Sequence, residues 1–266
     1  MKVITNTKTL FVSLLKKIGC DLVLDIGSRD GNQALLFQDS SPRTKVVAFE
    51  ANCINFDKIK CNRHLFESNI TILPLAVSNT TGKLPFYITD VDYSNPSSNI
   101  GTSSLLVHPN LSTRIPVEIS TIRLDDFLSR ADYTKYRSVA LWIDVEGAEY
   151  NVLQGIENII GIVKLIHVET AKKPIRQGQK TFDELKTLLD HYSFSLIGSN
   201  IKDSDSWGDV VFIKKDLLTH LRFSVAISQV QAYLSKIVRV DHIAVFLKNR
   251  YPCIYCFLRK TFIKFL

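Results

Sequence analysis

The sequence predicts an open α/β fold, a largely parallel sheet with helices packed on both faces. Three observations carry that expectation. Short apolar runs alternate with stretches of helical spacing along most of the 266 residues, the pattern of repeated strand–helix–strand units. Two of the runs, residues 22–26 and 139–143, bring acids, Asp25 and Asp144, to their ends and turn through Gly27 and Gly147 into helix-like stretches. Functional carboxylates gather at such carboxyl ends of strands in open sheets. The last two runs, residues 194–197 and 209–214, lie close enough in sequence to pair antiparallel.

Taken in order, Phe11, Leu14, Leu15 and Ile18 recur at helical spacing and Gly19 stops the run, so residues 1–19 form a leading helix. Residues 22–26 are the first strand, 27–31 its turn, and 32–37 the start of a helix. Residues 45–50 form a second strand, closing on Glu50. Residues 53–66 read as a helix and 70–77 as a third strand. The alternation then breaks. Residues 82–88 read as an added strand, and 90–112, rich in Ser, Asn and Pro, as a loop of the length that usually serves function. Residues 121–127 lead back to the central strand at 139–144. Beyond it come a helix (148–160), a strand (163–169), a helix (182–192) and the final strand pair. An apolar content of 45% supports a full core.

The net charge of +7 is unevenly placed. Of 33 basic and 26 acidic residues, eight and one fall in 217–266, leaving 25 of each in 1–216. The body is therefore no nucleic-acid surface by composition, and the chain divides into a neutral domain, 1–216, and a basic tail, 217–266. Ile227, Val230, Leu234, Ile237 and Val238 give the tail an apolar face beside Lys236 and Arg239. Ile254, Phe257, Leu258 and Phe265 repeat it after Pro252. Basic amphipathic helices of this kind suit an anionic membrane surface or a second subunit. Five cysteines, an odd number, make no disulfide framework, and the lone pair Cys253 and Cys256 is half of a zinc motif. The short run from Leu10 to Leu15, followed by lysines, is no secretory leader. A reducing, cytoplasmic setting is expected, peripheral to a membrane if the tail binds one.

The first glycine turn speaks to cofactor chemistry. A dinucleotide fingerprint needs Gly at the first, third and sixth turn positions; here they are Gly27, Arg29 and Asn32, which disfavours a dehydrogenase. Glu50 follows Gly27 by 23 residues, near the ~20 expected of an acid that holds ribose hydroxyls. A carboxylate accepts hydrogen bonds from both hydroxyls of a diol. An adenosyl cofactor without pyrophosphate fits, S-adenosylmethionine being the common one.

The stretches LVLDIGSRDG, VVAFEAN, ILPLAVSNTTGKLPFYI, GTSSLL, ISTIRLDDFL, LWIDVEGAEYNVLQGI and LIHVET, in this order across about residues 20–215, resemble the FkbM family of methyltransferases of the class I S-adenosylmethionine-dependent fold. The resemblance implies a Rossmann-like, seven-stranded, mostly parallel sheet ending in an antiparallel hairpin. It puts Asp25 and Gly27 near the methionine part of the cofactor, Glu50 on the ribose, and Ala76, Val77 and Ser78 beside the adenine, and it counts Ser28 and Ala51 among the cofactor-binding residues. The chain departs from the family at Ser28-Arg29, where Ala-Asn is usual, and at Ala51, where Pro is usual. A guanidinium accepts no hydrogen bonds, so an inward Arg29 would alter the cofactor pocket.

Methyl transfer to oxygen needs alignment of donor and acceptor and removal of a hydroxyl proton. Asp144 is the expected base or acceptor-positioning group, with Glu146 and Glu169 as further catalytic candidates. Asp144 and Glu169, at adjacent strand ends, also present oxygen ligands suited to a divalent metal. His167 falls on the same strand face as Glu169 and reads as a buried histidine or, alternatively, a base. Glu149 reads as a helix-opening acid, Asp125 and Asp126 as caps. The expected function is an S-adenosylmethionine-dependent O-methyltransferase acting on a hydroxyl of a sugar, a glycan or glycolipid precursor, or a polyketide-like metabolite. The alternative is a catalytically silent cofactor-binding scaffold that engages a membrane or partner through its tail.

Overall fold

The computed structural model describes residues 6–89, 101–110 and 116–218; the tail read above lies outside the described residues from 219 onward. The fold belongs to the unit Met1–Lys215. Helix α1 (Thr7–Ile18) starts at Asn6, whose side chain accepts from the Thr9 N–H, and stops at Gly19 in the left-handed conformation. Strand β1 (Leu22–Ile26), helix α2 (Asn32–Ser40) and strand β2 (Lys45–Phe49) follow.

The helical stretch after β2 is two helices, α3 (Cys53–Lys60) and α4 (Arg63–Phe66), because Asn62 interrupts it and caps the second by accepting from the His64 N–H. The run at 70–77 is likewise divided. Strand β3 (Ile70–Leu73) joins the main sheet, and β4 (Ala76–Val77), past Pro74, leaves it. Next come β5 (Gly82–Phe86), β6 (Val117–Ile122), α5 (Leu124–Leu128) and β7 (Val139–Ile143). Helix α6 (Glu149–Gln154) is shorter than the pattern implied and passes through Gly155 into a 3-10 turn at Glu157–Ile159. The body closes with β8 (Val163–Ala171), α7 (Phe182–His191), β9 (Phe194–Ser199) and β10 (Trp207–Lys214). Thr181 and Glu184 form a reciprocal capping box on α7.

Seven strands form one sheet in the order β3-β2-β1-β7-β8-β10-β9, and a three-stranded sheet, β4-β6-β5, stands beside it. Only β10 runs against the rest, antiparallel to β8 and β9. The fold is thus the expected α/β architecture. Side chains alternate across the main sheet. Leu22, Leu24, Ile26, Leu141, Ile143, Ile166 and Val168 share a core with Leu124, Phe127, Val152, Leu153, Leu185 and Leu189 from α5, α6 and α7. On the other face Phe11 of α1 and Phe37 of α2 pack against Trp142, their ring centroids 5.3 and 5.4 Å from it. Each such ring, fully buried, contributes about 2–3 kcal/mol.

From β1 the chain winds one way, to β2 and β3; β7 and β8 lie on the other side of β1. The crevice outside the carboxyl ends of β1 and β7 is therefore the switch point, where open sheets bind ligands.

Candidate active site

At the switch point the backbones of β1 and β7 nearly touch. A side chain on Gly27 would meet the Asp144 carbonyl oxygen at 1.8 Å, and Gly27 holds φ at 86°; only glycine fits. The N–H groups of Gly27 and Ser28 both donate to the Phe49 carbonyl, and the Asp144 N–H donates to Ile26. The turn then carries Arg29 into the left-handed region, φ 56°, aiming its N–H at the Glu50 carboxylate, 2.6 Å away.

Glu50 is clasped from both sides. Its second oxygen accepts from the Asn52 N–H at 2.8 Å and lies 3.5 Å from the Asn55 amide. Burial nonetheless pushes its carboxyl up to about 7, against those hydrogen bonds. Glu50 and Asp144 line one cleft, of about 60 Å³, with Gly27, Arg29, Ala51, Asn52 and Asn55. Leu75, Ala76, Val77 and Phe86 form its apolar wall; the small sheet brings all but Leu75 there. Asp25, Ser28 and Ser78 lie outside its lining. Asp25 is fully buried, accepts from the Ser28 hydroxyl at 2.7 Å, and keeps its other oxygen without a partner. Burial raises it to about 7. Ser78 is buried, its carbonyl packed where a side chain on Gly155 would go.

A second cavity, of about 430 Å³, opens beside the first, and Arg29, Gly101 and Glu146 line both. Its floor carries Glu146, Glu149, Glu169 and Thr170; its rim includes His108, Ile175 and Trp207. The segment 101–105 lies across the junction. Ser103 accepts from the Asn52 amide at 3.2 Å, Ser104 donates to the Val145 carbonyl at 3.3 Å, and Ser104 pairs with Tyr87 as an isolated bridge. The Arg29 guanidinium packs on Gly101, whereas Asp30 holds Asn32. Arg29 therefore turns inward, to the seam between the cavities.

Ligand oxygens of Asp144, Glu146 and Glu169 lie within 4.8 Å of one another. Loss of surrounding water and mutual repulsion push the Asp144 and Glu169 carboxyls well above the usual carboxylate range. Glu146, at φ 58°, is held by Arg176, which donates to it at 2.7 Å and to the Thr102 carbonyl at 2.9 Å. Gly147 gives way to the stem of that side chain: a Cβ there would meet the Arg176 Cδ at 2.8 Å. Glu149 is structural. One of its oxygens accepts from the N–H groups of Val145 and Gly147, and burial raises it to about 7.

His167 is no part of either lining. It stacks on Trp142 at 3.5 Å beneath α1, with Thr7 at 3.2 Å, and burial lowers it to about 3. Asp125 accepts from Arg123 and Asn158, tying α5 to the 3-10 turn away from the cavities. Sequence reading missed Arg176, Thr170, His108 and Trp207. They come from loops and strand ends with no spacing signal; the Glu146–Arg176 pair spans 30 residues.

A seven-stranded, mostly parallel sheet with β10 antiparallel between β8 and β9, a cleft at its switch point and acids following β2 and β7 make this a Rossmann-like α/β domain. The chain belongs to the methyltransferase FkbM domain family, whose profile matches residues 25–196. It is similar to the 2-O-methyltransferase NoeI of Sinorhizobium fredii, 27% identical over 192 residues, 70% of this chain and 76% of that protein. It is also similar to the hexuronic acid methyltransferase AglP of Haloferax volcanii, 28% identical over 149 residues, 56% of this chain and about half (55%) of that one. Among solved structures, magnesium protoporphyrin IX methyltransferase (ChlM) from Synechocystis PCC 6803, determined with bound SAM, aligns at a TM-score of 0.44. The identity is 10%, over 79% of each chain.

Proposed function

We propose that this methyltransferase domain uses S-adenosylmethionine to methylate a hydroxyl of a sugar or glycan precursor. The supporting observation is the single cleft shared by Glu50 and Asp144, joined at Arg29, Gly101 and Glu146 to a larger cavity. The residues of the cleft suit the cofactor. Glu50 accepts firmly from two backbone N–H groups, while the Asn55 amide stands off at 3.5 Å; a carboxylate offers about four acceptor sites, which leaves two for a ribose diol. Ala51, Ala76, Val77, Leu75 and Phe86 offer apolar contact for an adenine, and Asp25, with an orphaned buried oxygen, backs the Gly27–Ser28 turn on the methionine side. In this reading Ser28 and Ser78 act from behind the wall by fixing its backbone.

The cofactor, when bound, supplies a methyl group made electrophilic by its sulfonium. Asp144 is the base that takes the acceptor proton; its raised carboxyl matches that work near neutral pH. Glu146 and Glu169 accept hydrogen bonds from other hydroxyls and orient the acceptor. The names of the curated relatives, a 2-O-methyltransferase and a hexuronic acid methyltransferase, favour oxygen and sugar. The three carboxylates are also close enough to share one divalent cation, a second reading that added Mg2+ or a chelator tests directly.

Calorimetry with S-adenosylhomocysteine, on the whole chain and on Glu50→Ala, tests the assignment. Micromolar binding lost in the variant supports it, and absence of binding by the parent sinks it. Binding without turnover on any sugar acceptor favours the silent scaffold. Among the described residues no helix is long and apolar enough to cross a membrane. For residues 217–266 we keep the reading of an anionic-membrane or subunit surface. Liposome flotation of the chain with and without them separates the two.

A further inference from the structure

Among the described residues three large apolar side chains are exposed, Val117, Ile175 and Trp207. Two of them, Ile175 (37%) and Trp207 (57%), stand on the rim of the larger cavity. Trp207 lies opposite Ala171 across the β10–β8 ladder, one register step from Thr170 and two from Glu169. Thr170 lines the same cavity, is 2% exposed, and its hydroxyl has no partner in the protein.

The rim is held rigid. Lys172 donates through its backbone N–H to Ser206 and through its ammonium to the carbonyls of Lys202 and Asp203, which fixes the turn leading into Trp207. The N–H groups of Ile175 and Arg176 both donate to the Gln179 side chain. An exposed indole on a fixed frame, opposite a floor of hydrogen-bond acceptors, discards water on one side and keeps polar capacity on the other. Two apolar rim side chains over a mostly polar lining give the cavity both kinds of contact, and about 430 Å³ lies in the usual range for a small-ligand site.

Resting on the assignment of this cavity to the acceptor, we infer that Trp207 and Ile175 form the platform for a pyranose ring of the acceptor, with Glu169, two register steps from Trp207 and so on its face of the ladder, holding its hydroxyls. A pyranose has the matching two-sided chemistry. Its C–H face lies flat on an aromatic ring, and its hydroxyls donate to carboxylates. Of the two guanidiniums lining the cavity, Arg176 is committed to Glu146 and Arg29 lies at the seam with the first cleft. That leaves no free cation among the described residues for an anionic group at the rim, so the ring held there is a neutral one. Trp207 is thus a specificity-determining residue rather than a catalytic one.

The chain has two tryptophans, and Trp142 is buried, so acrylamide quenching of fluorescence reports on Trp207. With S-adenosylhomocysteine present, methyl glycosides of neutral hexoses and 6-deoxyhexoses are expected to protect Trp207, while sorbitol, an open-chain control, does not. Trp207→Ala is expected to raise KM for a glycoside acceptor at least tenfold with kcat within threefold, and Trp207→Phe to restore most of it. Both should bind S-adenosylhomocysteine like the parent and melt at the parent's temperature. Equal protection by sorbitol, or a Trp207→Ala variant with unchanged KM, overturns the platform while leaving the methyltransferase reading intact. Failure of the parent to bind S-adenosylhomocysteine removes both.

Discussion

The carbonyl oxygen of Asp144 occupies the space a side chain at Gly27 would need, 1.8 Å from its first carbon. The two strand ends that shape the cleft are thus locked at a distance no other residue tolerates. Gly27→Ala combines a left-handed backbone penalty with a clash against backbone, and should cost about 2–5 kcal/mol of stability. Urea denaturation measures it; a loss under 1 kcal/mol would mean that β1 and β7 part easily.

Arg29 sits at φ 56°, a conformation that asparagine tolerates better than arginine. Arg29→Asn should raise stability by about 0.5–1 kcal/mol and keep the N–H bond to Glu50. Thermal melting tests the sign. A lower melting temperature would show that the packing of the guanidinium on Gly101 outweighs the backbone strain.

Asp144 must be ionised to take a proton, and its carboxyl is raised by desolvation and by Glu146, Glu149, Asp209 and Asp25. The rate should therefore rise with pH through a midpoint above the usual carboxylate range, and be low on the acid side. Asp144→Asn should lose about 100-fold or more in kcat. A flat profile between pH 5 and 8 would argue that Asp144 positions the acceptor without accepting its proton.

Glu149 ordinarily titrates near 4.5 and is raised to about 7 in the fold. The folded state then binds the extra proton between those values, so this contribution is complete below about pH 4.5. It is lost as pH rises through 7, a span worth about 3 kcal/mol. The cofactor-free protein should melt lower at pH 8 than at pH 5.5. Glu149→Gln, which keeps the acceptor for Val145 and Gly147, should flatten that slope.

Much of the frame was legible before the coordinates. Phe11 and Leu15 with Gly19 mark α1, and Gly27, Glu50 and Asp144 mark the cleft. The run at 70–77 was read as one strand because its apolar content hides that Pro74 hands the chain from one sheet to the other. The burial of His167 is what the sequence favours, but the rings that cover it, Phe11 and Trp142, come from elements distant in the chain. The larger cavity was the least legible. Arg176, Gln179, Thr170 and Trp207 meet only through the β8–β10 ladder and the loop after β8, and no local period connects them.

The seam formed by Arg29, Gly101 and Glu146 divides the labour of the domain. The wall built by Glu50, Asn52, Ala76 and Val77 shares no side chain with the rim built by His108, Ile175 and Trp207. If the first cleft holds the cofactor and the second the acceptor, as proposed, substitutions at the rim can change the alcohol taken without disturbing a single hydrogen bond to Glu50.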